Sequence, residues 1–101
     1  LKFKLDITKE AKDFLYRLDA KQFKQVLNKI LSLTSEPYPV DSEQLHDKKP
    51  TDITFRRVDI GEYRIIYFVK GDTINITIIG KRNDNAVYKR YKNKRNSSGI
   101  Q

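Results

Sequence analysis

The sequence predicts a small α+β domain: an N-terminal strand, a helical hairpin, a three-stranded antiparallel meander and a short C-terminal helix. Three observations carry that prediction. The first seven residues alternate apolar with polar side chains, residues 9 to 33 repeat apolar positions at helical spacing, and residues 53 to 79 form β-rich runs punctuated by Gly61 and Gly71. At 101 residues and 38% hydrophobic content, the chain has material for one core and not for two. The expected division is a domain over residues 1–95 and a flexible basic and polar tail over 96–101.

Leu1, Phe3, Leu5 and Ile7 have the period of a half-buried strand. Thr8 then suits the N-cap of a helix whose Ala11, Phe14, Leu15 and Leu18 fall on one stripe. Asp19 followed by Gln22 has the spacing of a capping box, and beyond it Phe23, Val26, Leu27, Ile30 and Leu31 carry a second helix to about Leu33. Lys21, Lys24 and Lys29 occupy its outer face as solvated charge. Ser35 to Thr51 contains all three prolines and no sustained period, so it is expected to be a long surface loop. That loop holds His46, Lys48 and Lys49: the histidine reads as an exposed side chain, the lysines as phosphate contacts or solubilising charge.

Ile53 to Asp59, Tyr63 to Lys70 and Thr73 to Ile79 read as the three strands of the meander. In the last, Ile74, Ile76 and Ile78 are expected on one face, with Thr73, Asn75 and Thr77 on the other. The sheet then offers an apolar face to the helices and leaves a more polar face over. Phe55 and Arg57 share one side of their strand, and Arg56 takes the opposite side. After Gly80 the chain turns basic, with Lys81, Arg82, Lys89, Arg90, Lys92, Lys94 and Arg95 opposed only by Asp84. A short helix around Ala86 to Tyr91 is expected there, followed by a frayed Asn96-Ser97-Ser98-Gly99.

A net charge of +8 on so short a chain favours polyanions through counterion release. Nucleic acid is the first partner to consider, and an acidic protein satisfies the same electrostatics. The chain has no cysteine and one histidine, so disulfides, thiolate chemistry and the usual zinc sets are out of reach. A function without metal or cofactor is expected. No apolar run approaches the roughly 18 residues needed to span a bilayer, and the opening alternation is unlike a secretory h-region, so a cytoplasmic protein with no membrane partner is expected.

Arginine inside a strand is costly, because a guanidinium stays charged and must keep water or an anion. Arg57 and Arg64 both sit within the predicted hairpin around Ile60-Gly61-Glu62, and Gly80-Lys81-Arg82 follows the last strand with Tyr88 six residues on. In the order of its elements, and in Tyr63-Arg64-Ile65-Ile66-Tyr67 with Gly80-Lys81-Arg82, the chain resembles the RelE/ParE toxin superfamily of type II toxins. Within it the likeness is to the RelE-like mRNA interferases, over roughly Leu1 to Tyr91.

That resemblance implies cleavage of mRNA in the ribosomal A site without a metal, the ribose 2′-hydroxyl attacking its neighbouring phosphate. It also implies a cognate acidic, RelB-like antitoxin. Arg64 and Arg82 fall on the family's catalytic arginines, Arg57 on a basic position of the first hairpin strand, Tyr88 on a substrate-orienting tyrosine, and Lys81 beside Arg82 as in close relatives. Lys48, Lys49, Phe55, Lys89 and Arg90 are expected to contact RNA. Phe55 departs from a lysine found in some members, and Asp59 from a residue that is often basic.

The chemistry suits these side chains. Negative charge builds on the phosphoryl and leaving oxygens during such a transesterification, and each preorganised donor lowers the barrier by roughly 3 kcal/mol, about a hundredfold in rate. Arginine also grips phosphate through two parallel hydrogen bonds. The general base is left open among Lys81, Lys48, Lys49, Glu62 and His46. A ParE-like inhibitor of DNA gyrase on the same fold and a non-catalytic basic binding module are the alternative readings.

Overall fold

Two capped helices pack on one side of a five-stranded sheet. The computed structural model describes residues 2–45, 53–83 and 91–92. In chain order the elements are β1 (Lys4–Ile7), α1 (Lys9–Tyr16), α2 (Ala20–Leu33), β2 (Ser42–Gln44), β3 (Phe55–Ile60), β4 (Tyr63–Lys70) and β5 (Thr73–Lys81). Both expected caps form: the Thr8 hydroxyl accepts the Ala11 amide at 3.2 Å and the Asp19 carboxylate accepts that of Gln22 at 3.0 Å. Ala11, Leu15, Val26, Ile30 and Leu33 are buried against Val58, Tyr63, Ile65, Tyr67, Ile74, Ile76 and Ile79. This is the main core.

The strand order is β1-β5-β4-β3-β2, with β1 parallel to β5 and the remaining pairs antiparallel. The three-stranded meander is therefore the centre of a larger mixed sheet, extended on one edge by the N-terminal strand. The other edge corrects a second expectation. Ser42–Gln44, inside the segment read as surface loop, pairs with Val58, Arg57 and Arg56. Three residues are too few to show a period, and what anchors them is polar. The Ser42 hydroxyl donates to the Pro39 carbonyl at 2.7 Å and accepts from Arg56 Nη2 at 2.8 Å. Arg56, on the side of its strand opposite Phe55 and Arg57, also lies over the Tyr38 ring, 5.2 Å from its centroid.

Two glycines set the hairpins. Gly61 and Gly71 have φ of 56° and 60°, and no other described residue has positive φ. A glycine at the first position of a two-residue turn, followed by a residue of negative φ, matches the twist of the strands it joins. The Gly61-Glu62 turn pairs Ile60 with Tyr63 and Asp59 with Arg64.

A bulge overturns the expected facing of β5. Ile66 pairs with Ile78 but Tyr67 pairs with Ile76, so Thr77 is the extra residue. Alternation reverses there: Ile74, Ile76 and Ile79 enter the helix-side core, while Ile78 joins Ile66, Tyr91, Leu45 and Phe55 on the opposite side. That opposite face is thus not simply polar. It carries an apolar patch at one end and charged side chains at the other.

Among the described residues no helix is long and apolar enough to cross a membrane. Of the helix expected around Ala86 to Tyr91, Tyr91 is described and is helical, as is Lys92 after it. Residues 84–90 and the 96–101 tail lie outside the described residues.

Candidate functional site

The side-chain period of two puts Phe55, Arg57 and Asp59 of β3 on the face away from the helices. Arg64, Ile66 and Phe68 of β4 lie beside them. The turn at Gly61 brings Asp59 and Arg64 into direct cross-strand register. Arg64 Nε donates to Asp59 Oδ1 at 2.6 Å and Nη2 to Oδ2 at 3.0 Å, a two-pronged contact. The Arg64 side chain is only 12% exposed and that of Asp59 30%.

Arg57 stands one pair further along. Its Nη1 lies 3.9 Å from Asp59 Oδ2, and its Nη2 donates to Glu43, the residue opposite it on β2. Arg82 follows β5 in an exposed position, its backbone amide donating to the Glu62 carbonyl at 2.8 Å. All three guanidinium groups act on Asp59. The Arg64 hydrogen bond is the main cause of its depressed pKa, reinforced by the charges of Arg64, Arg57 and Arg82. Arg64 pairs across the sheet with Gly80, two residues before Arg82, so the two predicted arginines come from neighbouring strands. A cleft of about 320 Å³, lined by Val40, Asp41, Ser42, Glu43, Arg57 and Asp59, opens beside Arg57.

The other predicted residues divide. Lys81 ends β5 opposite Tyr63, and alternation after Ile79 and Gly80 directs it away from the face bearing Arg64. Phe55 is half-buried, meeting Phe68 edge-on at 5.2 Å and Tyr91 at 5.1 Å between centroids. It therefore belongs to the apolar patch next to the arginines. Lys48, Lys49, His46, Tyr88, Lys89 and Arg90 lie outside the described residues. Among the described residues no three His, Cys, Asp or Glu side chains gather as a metal site would require.

Sequence reasoning missed Glu43 and the pairing of Asp59. Glu43 hides in a strand too short to recognise. Asp59 was recoverable: once Gly61-Glu62 is taken as a two-residue turn, counting back from it places residue 59 opposite residue 64.

The family model for the ParE toxin of type II toxin–antitoxin systems, parDE, matches residues 5–86. A search of curated proteins gave no match. Among solved structures, a chain of the archaeal RelE–RelB complex from Pyrococcus horikoshii OT3 is 25% identical, with a TM-score of 0.70, over 81% of this chain and 97% of that one. A chain of the RelBE2 toxin–antitoxin complex from Mycobacterium tuberculosis is 19% identical, with a TM-score of 0.68, over 81% and 100%. The isolated E. coli RelE toxin is 17% identical, with a TM-score of 0.63, over 91% and 97%. These last two likenesses concern the fold.

Proposed function

Because the chain belongs to the ParE toxin family of type II toxin–antitoxin systems, within the RelE/ParE superfamily that its hairpin residues suggested, we propose that it is a RelE-like endoribonuclease that cleaves mRNA on the ribosome. The observation that carries this reading is the two-pronged grip of Arg64 on the Asp59 carboxylate, with Arg57 3.9 Å from the same group and the charge of Arg82 helping to lower its pKa. A site in which one arginine grips a carboxylate through two hydrogen bonds, with further positive charge close by, has the charge and the two-donor geometry to hold a phosphodiester.

In the reaction the 2′-oxygen bonds to phosphorus and the bond from phosphorus to the 5′-oxygen breaks. The proton leaves the 2′-hydroxyl and one is delivered to the departing 5′-oxygen. The products are a 2′,3′-cyclic phosphate and a 5′-hydroxyl. Arg64 takes the non-bridging oxygens, and Arg57 and Arg82 stabilise the charge that accumulates on the phosphoryl group. No metal or cofactor is assigned a part.

The partner that restrains it is an acidic antitoxin of the RelB kind, lying against the basic face, as the RelE–RelB complexes suggest. Primer extension on transcripts carried by programmed ribosomes tests the activity. Discrete new ends that disappear with Arg64→Ala support it, and their absence with the wild-type chain rejects it. The parDE label of the matching family favours one other reading, inhibition of DNA gyrase. A supercoiling assay inhibited by the purified chain, with no new transcript ends, would establish that reading instead.

A further inference from the structure

Asp59 takes up the two-donor edge of Arg64. Its two oxygens face the Nε and Nη2 hydrogens of Arg64 as two non-bridging phosphate oxygens would. Both donors of this edge are engaged by the carboxylate and the Arg64 side chain is only 12% exposed, so the edge cannot serve the carboxylate and a phosphate together. We propose that Asp59 is an exchangeable internal counter-ion, holding Arg64 in place in the free protein and yielding it to a phosphodiester, so that Asp59 sets how tightly the site takes RNA. This rests on the reading of the face as a phosphodiester site.

The surroundings permit the exchange. Arg57 Nη1, at 3.9 Å from Asp59 Oδ2, is a second cation towards which the released carboxylate can turn. Glu43, the present partner of Arg57, is 65% exposed and gives up little on returning to water. The cleft beside Arg57 supplies the room. The two acids therefore differ in role: Glu43 is a surface counter-charge, whereas Asp59 sits in register with the arginine it occupies. A phosphodiester must offer more than Asp59 does, which a multiply contacted RNA strand achieves and an isolated small anion does not.

The test is binding of a 2′-deoxy trinucleotide, which carries phosphodiesters but lacks the attacking hydroxyl, measured at low salt for folded variants. Asp59→Asn is expected to bind at least tenfold more tightly than the wild type, and Asp59→Asn with Arg64→Lys to return to the wild-type level. Asp72→Asn adds the same charge at the far β4–β5 turn and is expected to change affinity less than twofold. Affinity in folded Asp59→Asn no higher than wild type, or a gain surviving Arg64→Lys or matched by Asp72→Asn, overturns the proposal.

A second measurement needs no substitution. The Asp59 carboxyl carbon resonance of the wild type is expected to shift on saturation with the trinucleotide, and an unmoved resonance overturns the proposal. If the affinity gain appears while neither protein cuts ribosome-bound transcripts, the ribonuclease reading fails and the exchange stands. Cuts without the gain reject the exchange alone.

Discussion

The Thr8 hydroxyl donates to the Thr77 carbonyl at 2.8 Å while accepting the Ala11 amide at 3.2 Å. One oxygen thus caps α1 and ties it to the bulged residue of β5, across a sequence separation of 69. Thr77 in turn donates through its own hydroxyl to the Ile66 carbonyl at 2.9 Å. The bulge is therefore held from both sides by hydroxyls, satisfying backbone groups that the interrupted ladder leaves unpaired.

From this follows the first expected outcome. Thr8→Ala removes a cap and leaves the Thr77 carbonyl without that donor, so it should cost about 1–2 kcal/mol. Thr8→Ser keeps the oxygen and should cost well under half as much. Urea unfolding measures both. Equal losses for the two variants would show that the methyl group, rather than the hydroxyl, holds the junction.

The hairpin glycines give a second. At φ of 56° and 60°, alanine at Gly61 or Gly71 enters the left-handed region, at a cost of roughly 1–2 kcal/mol. A Cβ on Gly71 meets open space, whereas one on Gly61 lies 2.9 Å from the Gln25 amide nitrogen. The flexible end of Gln25 can swing aside, so Gly61→Ala should exceed Gly71→Ala by only a few tenths of a kcal/mol. It should also weaken the cross-strand register that faces Asp59 with Arg64. Chemical denaturation of the pair, with amide exchange across β3 and β4, reads both effects.

How far the molecule was legible in its sequence depends on the length of the signal. The helices and the two hairpins have periods and punctuation extending over many residues, and their caps and turns fall where Thr8, Asp19, Gly61 and Gly71 predict. Strand Ser42–Gln44 has three residues and is fixed by the Ser42 hydroxyl, which no periodicity reveals. The bulge at Thr77 keeps the apolar-polar alternation in the sequence intact while reversing its meaning in space, so Ile78 was assigned to the wrong side. At the site, Arg57 and Arg64 were legible as cations out of place in strands. Asp59 reads in the sequence only as a departure from an often basic position, and in the structure it is the anion between them.

Acid sensitivity provides a third outcome. The Arg64 hydrogen bond, aided by the charges of Arg64, Arg57 and Arg82, holds the Asp59 carboxyl below its ordinary 3.8. In the window between the folded value and 3.8 the unfolded chain binds more protons, so stability there rises with pH. The contribution is fully present above 3.8 and is lost as pH falls through the folded value. The stability difference between the wild type and Asp59→Asn should be constant from about pH 7 to pH 5 and narrow below 3.8. A difference unchanged down to pH 2 would mean that Asp59 acts by shape rather than charge.

The arginine series bears on the chemistry itself. Arg64→Ala removes the two-donor edge that faces Asp59, and Arg82→Ala an exposed cation whose field reaches the same carboxylate. Each should lower cleavage of ribosome-bound mRNA about a hundredfold, the worth of one well-placed donor. Arg57 shares its charge with Glu43 and lies at the edge of the group, so Arg57→Ala should cost less than either. Arg64→Lys separates charge from geometry: an ammonium keeps the field but not the paired hydrogen bonds, so it should recover only a small part of the loss. Rates of transcript-end formation, with melting temperatures to confirm folding, decide this. Full activity in Arg64→Lys would reduce the role of Arg64 to bulk charge, and full activity in both alanine variants would place the chemistry elsewhere on the molecule.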